Sequence, residues 1–354
     1  MSAALFFLAS GLLTTLQDLG RVGYQHQGIP VSGALDAISL TAANLLVGNA
    51  PATAALEIAY QGPTFVVEAA SVRIACAGAA APIELLSAAE AGRPRRLEML
   101  TSARLERGDQ LRIGAFSGVL YLAAAGGFDV PVVLGSRSTL VRAGIGGFNG
   151  RPVQAGDRLP LCRSQAAEAE EVHLAALDLA PPASFRVILG PQDDYFTPAA
   201  LRLLTQTIYT VTPASDRMGM RLAGPRLEHS KGYNIVSDGI APGTVQVPGN
   251  GLPIVLLADR QTTGGYPKIA TVISADLAAL GRLTPGAAVR FRLVSIEEAE
   301  AARREQAAML AQLAQRIVAA PRIARIDEAQ LQGANLVSGM IDALAGDPHE
   351  ARHE

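Results

Sequence analysis

The chain has 354 residues, 49% of them hydrophobic and 18% charged, with a formal net charge of −2. At about 150 residues per domain this length predicts two domains, and the composition excludes a disordered or fibrous chain. Thirty basic against 32 acidic residues leave no electrostatic footprint for nucleic acid or an anionic membrane.

The N-terminal residues 1–13 carry no charged side chain. They lack the basic start and small-residue cleavage site of a signal peptide, and they are too short to cross a bilayer as a helix. They read as strands at 5–8 and 12–16 around a turn at Ser10-Gly11, and a soluble, cytoplasmic protein is expected. A helix is predicted over 34–46, with Ser32 as its cap, followed by strands at 64–68, 72–76, 111–113 and 119–122. Residues 163–184, where Ala and Glu accumulate ahead of Pro181-Pro182, form the expected boundary. Beyond it come a strand at 185–189, a helix at 197–206, and strands at 254–257 and 289–294. Ser295-Ile296-Glu297-Glu298 is a capping-box pattern. Met309, Leu310, Leu313 and Ile317 then follow helical spacing, in a helix expected to end before Pro321. The tail with His349 and His353 has no packing pattern.

A short repeat underlies the β-rich reading. Leu105/Gly108/Leu111/Ile113, Val153/Gly156/Leu159/Leu161 and Leu283/Gly286/Val289/Phe291 share one spacing, that of a turn followed by a strand with alternate faces buried. Asp18-Leu19-Gly20-Arg21 is faintly echoed by Asp216-Arg217-Met218-Gly219. The division expected is a β module over 1–165, a second over 183–295, and a helical extension with a mobile tail over 296–354.

Several kinds of chemistry lack their signatures. There is no P-loop, no Gly-x-Ser-x-Gly elbow and no Met-Lys-Met biotin acceptor. Gly144-Ile145-Gly146-Gly147-Phe148-Asn149-Gly150 has one residue too many for a dinucleotide fingerprint and reads as a loop needing positive φ. The five histidines show no ligand spacing, so no metal is expected. Cys76 and Cys162 are too far apart for a Cys-x-x-Cys site, and two cysteines make no disulfide framework, which fits a reducing compartment.

Three Gly- and Pro-rich segments carry the chemical information. In the first, Asp18 and Arg21 are placed to pair across a tight turn, ahead of Pro30-Val31-Ser32-Gly33 and Asp36. The second is Ser215-Asp216-Arg217-Met218-Gly219. The third runs from Ser237-Asp238-Gly239 through Gln246 to Asp259-Arg260-Gln261-Thr262-Thr263-Gly264-Gly265-Tyr266-Pro267-Lys268. A loop of this composition on a rigid strand suits an oxyanion or carboxylate: glycine amides approach closely, glutamine both donates and accepts, and a cation supplies charge. Lys268 and Lys231 are the only lysines among the 30 basic residues. Under such an arginine bias, a retained lysine suggests a position that a compact ammonium serves better than a guanidinium fork.

Together with Gly11-Leu12-Leu13-Thr14-Thr15, Gln17, Asn44, Val47-Gly48-Asn49 and Leu56-Glu57-Ile58, these motifs resemble the KipA-like family. That family is also called allophanate hydrolase subunit 2 or the 5-oxoprolinase C-subunit, and it is related to the carboxyltransferase part of urea carboxylase. The resemblance covers residues 5–294. It implies a mainly β fold of tandem cyclophilin-like barrels, to which the helical extension is added. It also implies a subunit of an ATP-dependent 5-oxoprolinase, inactive alone, that works with a KipI-like and a LamB/YcsF-like subunit to open a small amide, 5-oxoproline, to glutamate. The alternatives it implies are the carboxyltransferase subunit of a urea carboxylase-like, biotin-dependent enzyme, or a regulatory antagonist of a KipI-like kinase inhibitor. No covalently bound cofactor is expected; ATP or carboxybiotin would come from partner subunits. For this chemistry Lys268, Gln261 and Asp259 are expected at the reacting atoms. Arg217, Gln246, Arg260, Thr262, Gly264, Gly265 and Tyr266 are expected to bind substrate, with Arg217 or Arg260 taking a ring carboxylate. Asp18, Arg21, Ser32 and Asp36 are expected in a structural or interface motif.

Overall fold

A computed structural model describes residues 3–89, 94–175 and 177–321. The expected tail histidines lie outside these residues. Residues up to Ala320 form one compact unit, built mainly from β-strands.

In the N-terminal half, Ala4–Ala9 and Leu13–Gln17 flank Gly11, as expected, but they do not pair with each other. The turn hands the chain from one sheet to another. Ala4–Ala9 lies between Arg158–Pro160 and Thr64–Val67 in a six-stranded sheet, and Leu13–Gln17 borders Ala55–Gln61 at the edge of a five-stranded one. Phe7, Phe65, Leu111, Leu120 and Phe128 belong to the apolar core of this half. The two glycine turns of the repeat in this half, Gly108 and Gly156, both have φ near +90°, and the apolar positions around them are buried. A Cβ is strained at that φ, which explains the fixed glycine in each copy.

The second half contains a closed seven-stranded barrel. Its strands run in the order Phe185–Leu189, Lys268–Val272, Thr244–Gln246, Ile254–Leu256, Gly219–Ala223, Ile208–Val211 and Ala288–Leu293. Phe185 and Val187 close it by pairing in parallel with Phe291 and Leu293. Gly286 opens the last strand with the same φ of +89°. Of the two barrels expected, this is the one for which closure is seen among the described residues; the first half shows two sheets.

Two helix expectations need correction. The helix predicted over 34–46 is Ala37–Leu46, and its cap is Asp36, whose carboxylate accepts from the Ile38 and Ser39 amides. Ser32 cannot cap it: its backbone is left-handed, at φ 57°, and its hydroxyl donates to Asp259 at 2.5 Å. The helix after Ser295 has the predicted capping box and spans Ile296–Gln312, but Ile317 belongs to a strand, Ile317–Ala319. That strand pairs with Val172–Leu174 inside the expected boundary segment, and Leu313 is buried in the same core cluster as Leu40 and Leu46. The extension is therefore packed onto the β framework. Among the described residues no helix is long and apolar enough to cross a membrane.

Candidate functional site

The Gln-, Gly- and Lys-bearing residues of the third motif do converge. Lys268 opens a barrel strand whose neighbour ends at Gln246, and the two are register partners. Lys268 is 3% exposed, and its Nζ donates to Asp238 Oδ2 at 2.6 Å. Asp238 reaches it because Asp238–Gly239 pairs with Thr263–Gly264. The carbonyls of Thr262 and Gly265 accept from Ile240 and Ile235 on either side. Asp238 is itself exposed, and its carboxyl is held below the usual carboxylate range, first by the Lys268 hydrogen bond and then by the Gly239 amide.

Two side-chain amides complete this group. Gln261 Nε2 donates to Gln246 Oε1, and Gln246 Nε2 to the Tyr266 carbonyl, each at 3.4 Å. Both bonds are at the long limit for N–H···O. Gln261 Oε1 is buried with no partner among the described residues. Gly264 allows this proximity: a Cβ there would stand 2.7 Å from Ile240 Cδ1 and 2.8 Å from Gln246 Nε2. An ammonium, loosely held amide donors and an orphaned acceptor suit the N–H and C=O edges of an amide or ureido group.

Other expected site residues lie elsewhere. Arg217 and Asp259 belong to a buried ion network that joins the two halves. Arg217 Nε and Nη2 form a fork on Asp259 at 2.8 and 3.1 Å, Nη1 donates to Glu57, and Nη2 also meets the Gly33 carbonyl at 2.6 Å. Burial alone would lower the guanidinium, but the charges of Glu57 and Asp259 outweigh it and raise its pKa. Glu57 also accepts from Tyr121 and from the Leu35 amide. The Tyr121 hydroxyl is driven well above its ordinary range by burial and then by Glu57 and Asp36. Every Arg217 nitrogen is thus engaged inside the chain, so a substrate carboxylate finds no open fork there.

The first motif is also rearranged. Asp18 does not pair with Arg21. Its carboxylate takes the Gly20 and Arg137 amides at 2.8 and 2.6 Å and the Ser136 and Ser138 hydroxyls at 2.6 and 2.5 Å. Arg21, with no exposed surface, donates through Nη2 to the Ser138 carbonyl. A one-turn spacing suggested the pair, but a loop more than a hundred residues away offers Asp18 three donors at once. The glycine-rich segment after that loop has positive φ at Gly144, Gly146, Gly147, Asn149 and Gly150, as its composition predicts.

Glu57, Tyr121 and Asp238 complete these clusters without having been nominated for such roles, while Asp36, expected in a structural or interface motif, caps the helix. Glu57 and Asp238 sat within quoted motifs, but their partners lie 160 and 30 residues away. Arg282 stands 2.9 Å from Asp36. Among the described residues no group of three or more His, Cys, Asp or Glu side chains is placed to hold a metal.

A closed barrel beside paired sheets thus carries, on one of its strands, a buried lysine grouped with two side-chain amides. Residues 27–293 match the family described as "Carboxyltransferase domain, subdomain A and B", and the chain belongs to the family of the 5-oxoprolinase C-subunit and the biotin-dependent carboxyltransferases. Within it, the chain is 39% identical over 310 residues to the 5-oxoprolinase C-subunit of Escherichia coli (strain K12), covering 88% of this chain and 97% of that protein. The crystal structure of the K. lactis urea amidolyase is similar at a TM-score of 0.78 and 29% identity over 88% of this chain, which spans 20% of that one. The crystal structure of TTHA0988 is similar at a TM-score of 0.72 and 34% identity over 82% of this chain, which spans 56% of it.

Proposed function

We propose that the chain is a subunit of an ATP-dependent 5-oxoprolinase, acting with a KipI-like and a LamB/YcsF-like subunit to open 5-oxoproline to glutamate. The observation that carries this reading is length together with identity: the chain covers nearly the whole of a 5-oxoprolinase subunit but a fifth of a urea amidolyase. In the site, Lys268 is the cation for a developing oxyanion on the lactam carbonyl, and the Gln246–Gln261 pair holds the amide edge, with Gln261 Oε1 accepting its N–H. Gly264 keeps the loop close, and the Tyr266 and Thr262 carbonyls fix the geometry of Gln246 and of residue 240. ATP, supplied on a partner, provides the driving force for lactam opening; this chain binds and orients.

The likeness to urea amidolyase supports a second reading, transfer of a carboxyl group from carboxybiotin on a partner to a small amide. The same donors and orphaned acceptor suit a ureido ring, whose chemistry the bound biotin would supply. Co-expression with the KipI-like and LamB/YcsF-like proteins separates the readings. ATP-dependent loss of 5-oxoproline by the complex, absent in the isolated chain, is expected. Turnover of urea once ATP, bicarbonate, a biotin carboxylase and its biotinylated carrier are added, with none of 5-oxoproline, would overturn the first reading in favour of the second. Activity of the isolated chain would overturn the subunit assignment.

A further inference from the structure

A cavity of about 290 Å³ lies beside the Lys268 group without including it. Apolar side chains, Val31, Ala34, Leu35, Leu256 and Leu277 among them, share its walls with Gln25 and Ser32, and Arg260 is the charged side chain in its lining. Arg260 is 2% exposed. Its Nε donates to the Ile240 carbonyl at 3.2 Å and Nη1 to the Leu257 carbonyl at 3.3 Å, both long bonds to neutral acceptors. Among the described residues no carboxylate lies within ion-pair distance of it. Burial pulls its pKa down to about 10, with no neighbouring charge to hold it up. The buried or half-buried arginines 73, 186, 217 and 282 each face a carboxylate. Arg21 has no contact ion pair either, but it lies in the field of Asp18 and Asp259.

A buried charge is retained where it is paired. Arg260 has the burial without the pair, and it borders a space near the lower edge of the roughly 300–1,000 Å³ of small-molecule sites. We propose that this cavity binds a small organic monocarboxylate. Its carboxylate meets the Nη2 edge of Arg260, which has no partner among the described residues, and its apolar body lies on the leucine wall. One negative charge balances one unpaired cation, whereas a dianion leaves an excess buried charge. An inorganic anion gains nothing from the apolar walls and keeps more of its hydration in water. The Ser32 hydroxyl is already engaged by Asp259, so Arg260, with Gln25 as the remaining polar side chain of the lining, and the shape of the cavity set its selectivity. Ile240 stands between the two sites, its carbonyl on Arg260 and its side chain against Gly264, so this site is additional to the amide group proposed for the reaction.

The test is thermal shift on the purified full-length chain at constant ionic strength, with cyclopentanecarboxylate, 5-oxoproline, 2-pyrrolidinone and inorganic phosphate as probes. Cyclopentanecarboxylate is expected to raise Tm with concentration, and 2-pyrrolidinone, a similar ring without the acid, is not. Arg260→Met is expected to weaken cyclopentanecarboxylate at least tenfold, with partial retention in Arg260→Lys and full retention in Lys231→Met. Ala34→Met fills the cavity while leaving Arg260 in place, and it should abolish the shift even if Arg260→Met fails to fold. Equal shifts from 2-pyrrolidinone or phosphate, or an unchanged response in Ala34→Met, would overturn the proposal. A shift from cyclopentanecarboxylate but not 5-oxoproline upholds the site and removes 5-oxoproline as its ligand. Turnover by the assembled complex is read separately.

Discussion

Arg217 and Arg260 are both buried in the second half of the chain, yet their surroundings are opposite. Arg217 sits between Glu57 and Asp259 with every nitrogen engaged, and those charges raise its pKa against the pull of burial. Arg260 touches two neutral carbonyls and borders a cavity, and burial lowers its pKa unopposed. Depth alone therefore does not assign a role to a buried arginine. The saturated one fastens elements distant in sequence, since Glu57 comes from the N-terminal sheets and Asp259 from the barrel half. The unsaturated one is available to something that is not part of the chain.

The comparison breaks most visibly if Arg217 is removed. Arg217→Met leaves Glu57 and Asp259 buried without their cation, and loss of one partner of a buried pair costs about 3–5 kcal/mol. Urea unfolding should show that loss, and a midpoint within error of wild type would mean the network is not what joins the halves. Next in size is Lys268. Its partner Asp238 is exposed and can be rehydrated, so Lys268→Arg and Lys268→Gln should fold normally. Both should slow the assembled enzyme at least tenfold, about 1.4 kcal/mol. A normal rate in Lys268→Arg would return the ammonium to a purely structural role.

A smaller and opposite effect is expected at Arg260. Replacing an unpaired buried cation by Met should leave stability equal to wild type or raise it by on the order of 1 kcal/mol. The pH dependence sharpens this. Burial pulls the native guanidinium down to about 10, well below its ordinary value in the unfolded chain. Between those values the unfolded state holds more protons, so wild type gains stability as pH rises. The gap between Arg260→Met and wild type should then narrow above about pH 10, as should the affinity of wild type for a carboxylate. A gap that widens there would contradict the isolated-cation reading. Smallest of all is Lys231→Arg. Lys231 is exposed and pairs with Asp194 at the surface, so its replacement should change stability by no more than about 0.5 kcal/mol and leave turnover unaltered.

Much of the local structure was legible in the residues themselves. The positive-φ glycines at 108, 156 and 286, the Ser295 capping box and most strand cores follow from steric and hydrogen-bonding rules that act over a few positions. The convergence of Lys268, Gln246, Gln261 and Gly264 was also within reach, because they cluster in one loop and its neighbouring strand. Which charges pair was decided by the tertiary structure. Asp18 appeared to match Arg21, but it is held by Ser136, Arg137 and Ser138; Arg217 appeared free for substrate, but it is held by Glu57. The division between a saturated Arg217 and an unpaired Arg260 has no sequence signature at all. Ion pairing depends on the distance and direction of groups brought together from far along the chain, and residue spacing reports neither.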